Sequence, residues 1–158
     1  MLQLSRVRLV NWHFFEDTTI PVGATTLLAG DNGTGKSTII DAIQYALVAQ
    51  VSRIRFNSAA TDRRTARSLA SYCRCKIGAD AVAFARDDCV THVILEFSDN
   101  DHLFCAGIMV EAFVEGESRE HPWLLDKGNI EDIQVFDEGS FVAPRKFREQ
   151  VKRLGGYV

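Results

Sequence analysis

Eight consecutive residues, Gly30-Asp31-Asn32-Gly33-Thr34-Gly35-Lys36-Ser37, have the types and spacing to hold a chain of phosphates. They satisfy G-x-x-x-x-G-K-[ST] in full, and each fixed position has a physical task. The glycines let the backbone turn so tightly that successive N–H groups converge on one point and form an anion nest. Lys36 supplies a cation for the β- and γ-phosphates, Ser37 a hydroxyl for Mg²⁺, and Thr38 a contact to a further phosphate oxygen. The chemistry this pattern points to is the binding of a nucleotide with Mg²⁺. No guanine-reading N-K-x-D sequence is present, which favours ATP over GTP as the ligand.

Such a loop works only between two elements that aim it. Thr25–Ala29 is a short, β-prone apolar run ending at Gly30 and is predicted to be a buried strand. From Lys36 to Val48 the apolar residues Ile39, Ile40, Ile43, Ala46 and Leu47 recur at helical spacing, so an amphipathic helix should leave the loop. Its first turn then adds a partial positive charge and free N–H groups to the nest. Asp41 lies inside that helix, where a structural hydrogen bond is the simpler reading.

The remaining elements follow from periodicity. Leu2–Val10 and Thr18–Val22 read as strands flanking an aromatic corner, Asn11-Trp12-His13-Phe14-Phe15. Residues 50–66 lose periodicity and read as a loop, and 65–76 as a short helix. Alternation through Val93, Leu95 and Phe97, the turn Ser98-Asp99-Asn100-Asp101 and the return strand Leu103–Val114 predict a β-hairpin over 90–114. Ile130–Phe136 reads as a short strand, and 144–154 as a basic amphipathic helix opened by Pro144. The fold class is therefore α/β, a P-loop lobe with an antiparallel β-hairpin layer.

Bulk properties narrow the class. The chain has 158 residues, 46% apolar and 25% charged, with no apolar run near the ~20 needed to cross a bilayer. A cytoplasmic address is expected. Cys73-Arg74-Cys75 is C-x-C rather than the C-x-x-C of a zinc knuckle, and Cys89 and Cys105 sit in apolar strand-like runs, so no metal site is expected from cysteine. Charge is sorted along the chain, with Arg53, Arg55, Arg63, Arg64, Arg67, Arg74 and Lys76 against Asp62 alone in 53–76. The arginines Arg53, Arg55, Arg63, Arg64 and Arg67 are candidates for DNA phosphates, set against the simpler reading of a solvated loop.

The order strand, Leu9-Val10-Asn11-Trp12 corner, Thr25-Thr26-Leu27-Leu28-Ala29, glycine loop and Ile39-Ile40-Asp41-Ala42-Ile43 resembles the N-terminal half of an SMC-type ABC ATPase head. Within that superfamily the chain is similar to MukB-like proteins and to the ATPase of Wadjet plasmid-defence systems. The resemblance is specific over residues 1 to about 60. It implies a head that binds Mg-ATP, dimerises around two nucleotides and drives coiled-coil arms that entrap or translocate double-stranded DNA. It also implies partners: a C-terminal lobe of the same protein carrying the signature motif and Walker B, a second identical head, kleisin-like accessory subunits, and association with the nucleoid. His13 stands where related heads often place an Arg or Lys near the nucleotide. Gln134 is a candidate for the glutamine that senses Mg²⁺ and γ-phosphate.

No S-G-G signature and no arm-length heptad region occurs in the sequence, so the chain reads as a fragment, with helix 144–154 leading toward an arm. One stretch competes with that reading. Ile133-Gln134-Val135-Phe136-Asp137-Glu138 has the shape of a Walker B strand, which would make the chain a complete small P-loop kinase or NTPase using Asp137 and Glu138. Against it, Gln134 interrupts the apolar run, and Asp137-Glu138-Gly139-Ser140 reads as a hairpin turn. A further alternative is a DNA-binding module with a degenerate ATP site.

Overall fold

The computed structural model describes residues 1–56, 68–77, 83–100 and 102–158. Five strands form one sheet: β1 (Gln3–Trp12), β2 (Phe15–Pro21), β5 (Cys89–Asp99), β6 (His102–Ala112) and β7 (Arg119–Leu125). Their order is β2-β1-β5-β6-β7, and every pairing is antiparallel. Two short hairpins accompany it, β3 (Lys76–Ile77) with β4 (Ala83–Phe84), and β8 (Phe136–Asp137) with β9 (Ser140–Phe141). The helices are α1 (Lys36–Val48), α2 (Leu69–Cys73) and α3 (Pro144–Arg153).

Alternation along the strands builds two cores on opposite faces of this sheet. Val7 and Leu9 of β1, Val93 and Leu95 of β5, and Ile108 and Val110 of β6 pack with Ala42, Tyr45 and Ala46 of α1 and with Tyr72 of α2. Val10, Ile94 and Met109 point the other way, toward Trp123, Leu125, Ile133, Val135, Phe147 and Val151. The loop helix thus lies on one face and α3 on the other. Trp12 breaks the alternation. Strict period 2 would put it with Val10, but Asn11 takes φ 51° and Trp12 turns into the α1 core beside Leu9.

Two ionisable groups are buried on the α3 face. Glu96 accepts hydrogen bonds from Arg6, from the Ile130 N–H at 3.1 Å and from the Ser5 hydroxyl at 2.9 Å. Burial raises its pKa, but these bonds, Arg6 first, outweigh it and hold the carboxyl below its ordinary value. His92 is fully buried, 4.8 Å from the Phe147 ring, and neither ring nitrogen has a hydrogen-bond partner among the described residues. Burial, and then the nearby Arg8 charge, push the imidazole down to about 3, against a smaller opposing pull from Asp17. The folded-state pKa therefore lies below the unfolded one, so the unfolded chain takes the proton first. The contribution is complete above pH ~6.5 and declines toward pH 3 by about 1.4 kcal/mol per pH unit. Denaturant unfolding at pH 7 and pH 5 should show wild type losing about 2 kcal/mol more than His92→Leu over that interval.

The end of α3 is a Schellman motif. Gly155 takes φ 86°, its N–H bonds the Lys152 carbonyl, and the Gly156 N–H reaches back to the Val151 carbonyl. Tyr157 then pairs with Leu124 of β7 through two hydrogen bonds. The helix expected over 144–154 thus runs Pro144–Arg153, and the residues after it pair with β7.

Three expectations change. Thr25–Ala29 is not a strand: it has no sheet partner among the described residues, and Leu27 is 86% exposed. Residues Ile130–Asp132 form a 3-10 turn rather than part of a strand. The stretch read as a loop over 50–66 begins with a 3-10 turn at Val51–Arg53 and an extended Ile54, with 57–66 outside the described residues. No helix among the described residues is long and apolar enough to cross a membrane.

Candidate functional site

Gly30, Gly33 and Gly35 take φ values of 152°, 86° and 95°, turning the chain back on itself between Ala29 and α1. Asp31 and Thr34 close the turn, the Asp31 carbonyl accepting from the Thr34 N–H at 3.4 Å and from its hydroxyl at 2.9 Å. Gly35 is the N-cap of α1 and cannot carry a side chain. A Cβ there would lie 2.5 Å from the Phe14 ring and 3.2 Å from that of Phe15, and the residue also sits in the left-handed region.

Helix α1 starts without the usual partners. No side chain caps its first turn, and that turn carries no acidic residue. The N–H groups at its start therefore remain available to an external anion. Lys36 extends over the loop and donates to the carbonyls of Gly30 and Asp31, each at 2.6 Å, with Thr34 Oγ1 at 3.4 Å. Its ammonium is thus held at the centre of the turn that would receive the β- and γ-phosphates. Ser37 and Thr38 follow on the first helical turn. Together, Asn32, Gly33, Gly35, Lys36, Ser37 and Thr38 line a cleft of about 530 Å³. Its remaining walls are His13 and Phe14.

His13 and Phe14 come from a different element than the loop. They form the two-residue tip of the β1–β2 hairpin, between the paired Trp12 and Phe15. The tip is braced from several directions. The His13 N–H donates to the Tyr72 carbonyl at 2.7 Å, and the Arg86 guanidinium donates to the carbonyls of His13 at 2.7 Å and Cys73 at 3.2 Å.

Below the tip, Trp12 is stacked between two tyrosines, Tyr72 at 4.5 Å and Tyr45 at 5.7 Å. Its indole N–H donates to the Thr38 carbonyl at 2.9 Å, tying the hairpin to the first turn of α1. Asp41, one turn further along α1, accepts a hydrogen bond from the Tyr72 hydroxyl. A single aromatic stack thus connects β1, α1 and α2 beneath the loop.

Gln134 is not brought to this cleft. It lies on the α3 side, where its N–H donates to Gln150 Oε1 at 2.8 Å and its carbonyl accepts from Gln150 Nε2 at 2.9 Å. Asp137 and Glu138 are also elsewhere. They open the tight turn of the β8–β9 hairpin, with Glu138 at φ 49° and Gly139 at φ 80°. That geometry agrees with the reading of Asp137-Glu138-Gly139-Ser140 as a hairpin turn and not with the competing one of 133–138 as a Walker B strand. Arg53 and Arg55 are exposed just past α1, whereas Arg63, Arg64 and Arg67 lie outside the described residues. Among the described residues no group of three or more His, Cys, Asp or Glu is arranged to hold a metal ion. Burial pushes the Cys73 thiol up to about 12, which makes it a poor nucleophile.

Sequence reasoning noticed the aromatic corner but gave a role only to His13. Phe14, which closes over Gly35, and Arg86, which braces the tip, were missed. Phe14 carried a local signal as an aromatic at a hairpin tip. Arg86 carried none, since its partners are 73 and 13 residues away.

The family model of the P-loop containing region of AAA domain matches residues 4–63, a span that holds β1, β2, the glycine loop and α1. With the loop geometry, this makes the chain a carrier of a P-loop NTPase-type domain. A domain of this class implies nucleotide binding, usually with Mg²⁺, and NTPase activity in general. No curated protein matches the chain.

Proposed function

We propose that this chain is the Mg-ATP-binding N-terminal lobe of an SMC/MukB-type head. The observation that carries the nucleotide-binding part is the uncapped start of α1, with Lys36 folded onto the Gly30 and Asp31 carbonyls. Lys36 and the N–H groups of the loop would hold the phosphates, and Ser37 would ligate Mg²⁺. The bound ion would neutralise charge developing on the transferred phosphoryl group.

Completion by a second lobe is supported by the surface beside the loop. Leu27 is 86% exposed and Ile40 is 43% exposed. Next to them an open apolar groove of about 380 Å³ is lined by Leu4, Val22, Leu28, Ile39 and Ile43, among others. Among the described residues the segment 25–29 belongs to no sheet, so an incoming strand could add backbone hydrogen bonds there and cover Leu27 together. The lobe that supplies that strand would bring the acidic residues for metal and water. A second head would present the signature motif, and the assembled machine would act on double-stranded DNA with kleisin-like subunits, in chromosome organisation or plasmid defence. Arg53 and Arg55, both exposed, would add contacts to DNA phosphates.

Calorimetry and a phosphate-release assay on this chain test the reading. Micromolar-range Mg-ATP binding without steady turnover, lost in Lys36→Ala, is expected. Sustained Lys36-dependent hydrolysis by the chain alone would instead establish a complete small NTPase. Binding to duplex DNA should weaken steeply between 50 and 200 mM salt, as counterion release requires. A flat salt response would remove DNA from the reading.

A further inference from the structure

Helix α1 meets the glycine loop at its start, and at its other end it is held by β7, the outermost strand of the sheet. Alternation sends consecutive residues of β7 to opposite faces. Trp123 and Leu125 lie in the α3 core, and His121 reaches Glu111 at 2.7 Å and Arg148 of α3 at 3.3 Å. Glu120 therefore faces α1. One of its oxygens, Oε2, accepts from the Tyr45 hydroxyl at 2.8 Å and from the Val51 N–H at 3.1 Å. Val51 lies just past the end of α1, whose last turn carries no basic residue. An acidic side chain at a helix C-terminus is opposed by the helix dipole, so this one is kept in place by what it holds.

What it holds leads back to the phosphate site. Tyr45 is fully buried, and its ring stacks on Trp12 at 5.7 Å and 17°. Trp12 in turn donates to the Thr38 carbonyl at 2.9 Å, and Thr38 lines the cleft beside Lys36 and Ser37. Burial first, and then the bond to Glu120, raise the Tyr45 pKa, so the hydroxyl remains a donor across physiological pH.

We infer that Glu120 is a positioning residue for the nucleotide: it fixes the Tyr45 ring, and through Trp12 it sets the first turn of α1 against the phosphates. The inference rests on the nucleotide-binding reading and adds to it a residue 75 positions from Tyr45 in sequence. A ring held by stacking alone can slide and tilt, whereas one tied through its hydroxyl to a strand cannot. A first turn fixed before the ligand arrives loses less freedom on binding. Both hydrogen bonds end on a single oxygen, so a glutamine carbonyl at position 120 can accept the pair and a leucine can accept neither.

Calorimetric titration of this chain with Mg-ATP, at a temperature where each variant is fully folded, tests the inference. Glu120→Leu should weaken binding about fivefold and Tyr45→Phe about threefold, with Glu120→Gln within about twofold of wild type. The double variant Tyr45→Phe/Glu120→Leu should bind as Glu120→Leu does, because both changes cut one path. In a Trp123→Phe background Trp12 is the only tryptophan. Its fluorescence should then change with Glu120→Leu and Tyr45→Phe but not with Glu120→Gln. Tyr45→Phe removes the hydroxyl alone, so its affinity decides the matter even where Glu120→Leu does not fold. Wild-type affinity in Tyr45→Phe, or losses that add in the double variant, overturns the inference and leaves Glu120 a residue of stability. Failure of the underlying reading looks different: Mg-ATP binding would then be indifferent to Lys36→Ala.

Discussion

Lys36→Ala should lower Mg-ATP affinity by roughly 100-fold or more while leaving the fold intact. The ammonium makes two charge-assisted contacts of 2.6 Å to loop carbonyls, and those carbonyls mark the place where phosphate oxygens would compete for it. Hydrogen bonds to charged groups are worth about 1.5–3 kcal/mol each, so the loss of two such bonds from the ammonium to phosphate oxygens amounts to about 3 kcal/mol of binding at the low end. Stability should barely respond. Gly30 and Asp31 are exposed, so water replaces the lysine at their carbonyls without a buried group being orphaned. Calorimetry gives the affinity and thermal unfolding gives the control, with a melting temperature expected within about 3 °C of wild type. Lys36→Arg should not rescue binding, because the planar guanidinium fork does not fit the position of a compact ammonium. A variant that binds normally would show that the loop holds something other than phosphate.

Trp12→Ala should have the largest effect on stability. The indole is fully buried, is flanked by both tyrosine rings and donates to the Thr38 carbonyl. Truncating a buried aromatic of this size costs about 3–5 kcal/mol, a large part of the ~5–15 kcal/mol that holds a domain together. Trp12→Phe separates packing from positioning. It keeps an aromatic ring between Tyr45 and Tyr72 but removes the tie to the first turn of α1, at a cost of about 1 kcal/mol. Denaturant unfolding followed by far-ultraviolet circular dichroism should rank wild type, Trp12→Phe and Trp12→Ala in that order. Because Thr38 sits on the turn that faces the phosphates, Trp12→Phe should also weaken nucleotide binding, by a few-fold. If Trp12→Ala unfolds at the wild-type denaturant concentration, the stack is not what joins β1, α1 and α2.

The glycine loop and α1 were legible because both are local. A pattern of glycines, lysine and hydroxyl encodes a backbone path over eight residues, and apolar spacing of three and four encodes a helix regardless of what it packs on. The β5–β6 hairpin was legible for the same reason, since alternation and a polar turn lie within one short span. Asp41 could be read as structural because a carboxylate on the buried side of an amphipathic helix needs a partner, and Tyr72 supplies it.

What depended on distant neighbours was not legible. Thr25–Ala29 has the composition of a buried strand, yet a strand exists only where another backbone pairs with it, and among the described residues none does. Gln134 could serve either face of the sheet by composition, and Gln150 of α3 decided between them. The same holds for the site. Residue types and spacing determined that a phosphate chain can be held at Gly30–Thr38, because that chemistry is written in consecutive backbone. Only the tertiary structure decided that Phe14 closes over Gly35, that Trp12 leaves its strand's alternation to anchor α1, and that Arg86 braces the tip. Each of those depends on segments tens of residues apart meeting in one place, which no local pattern specifies.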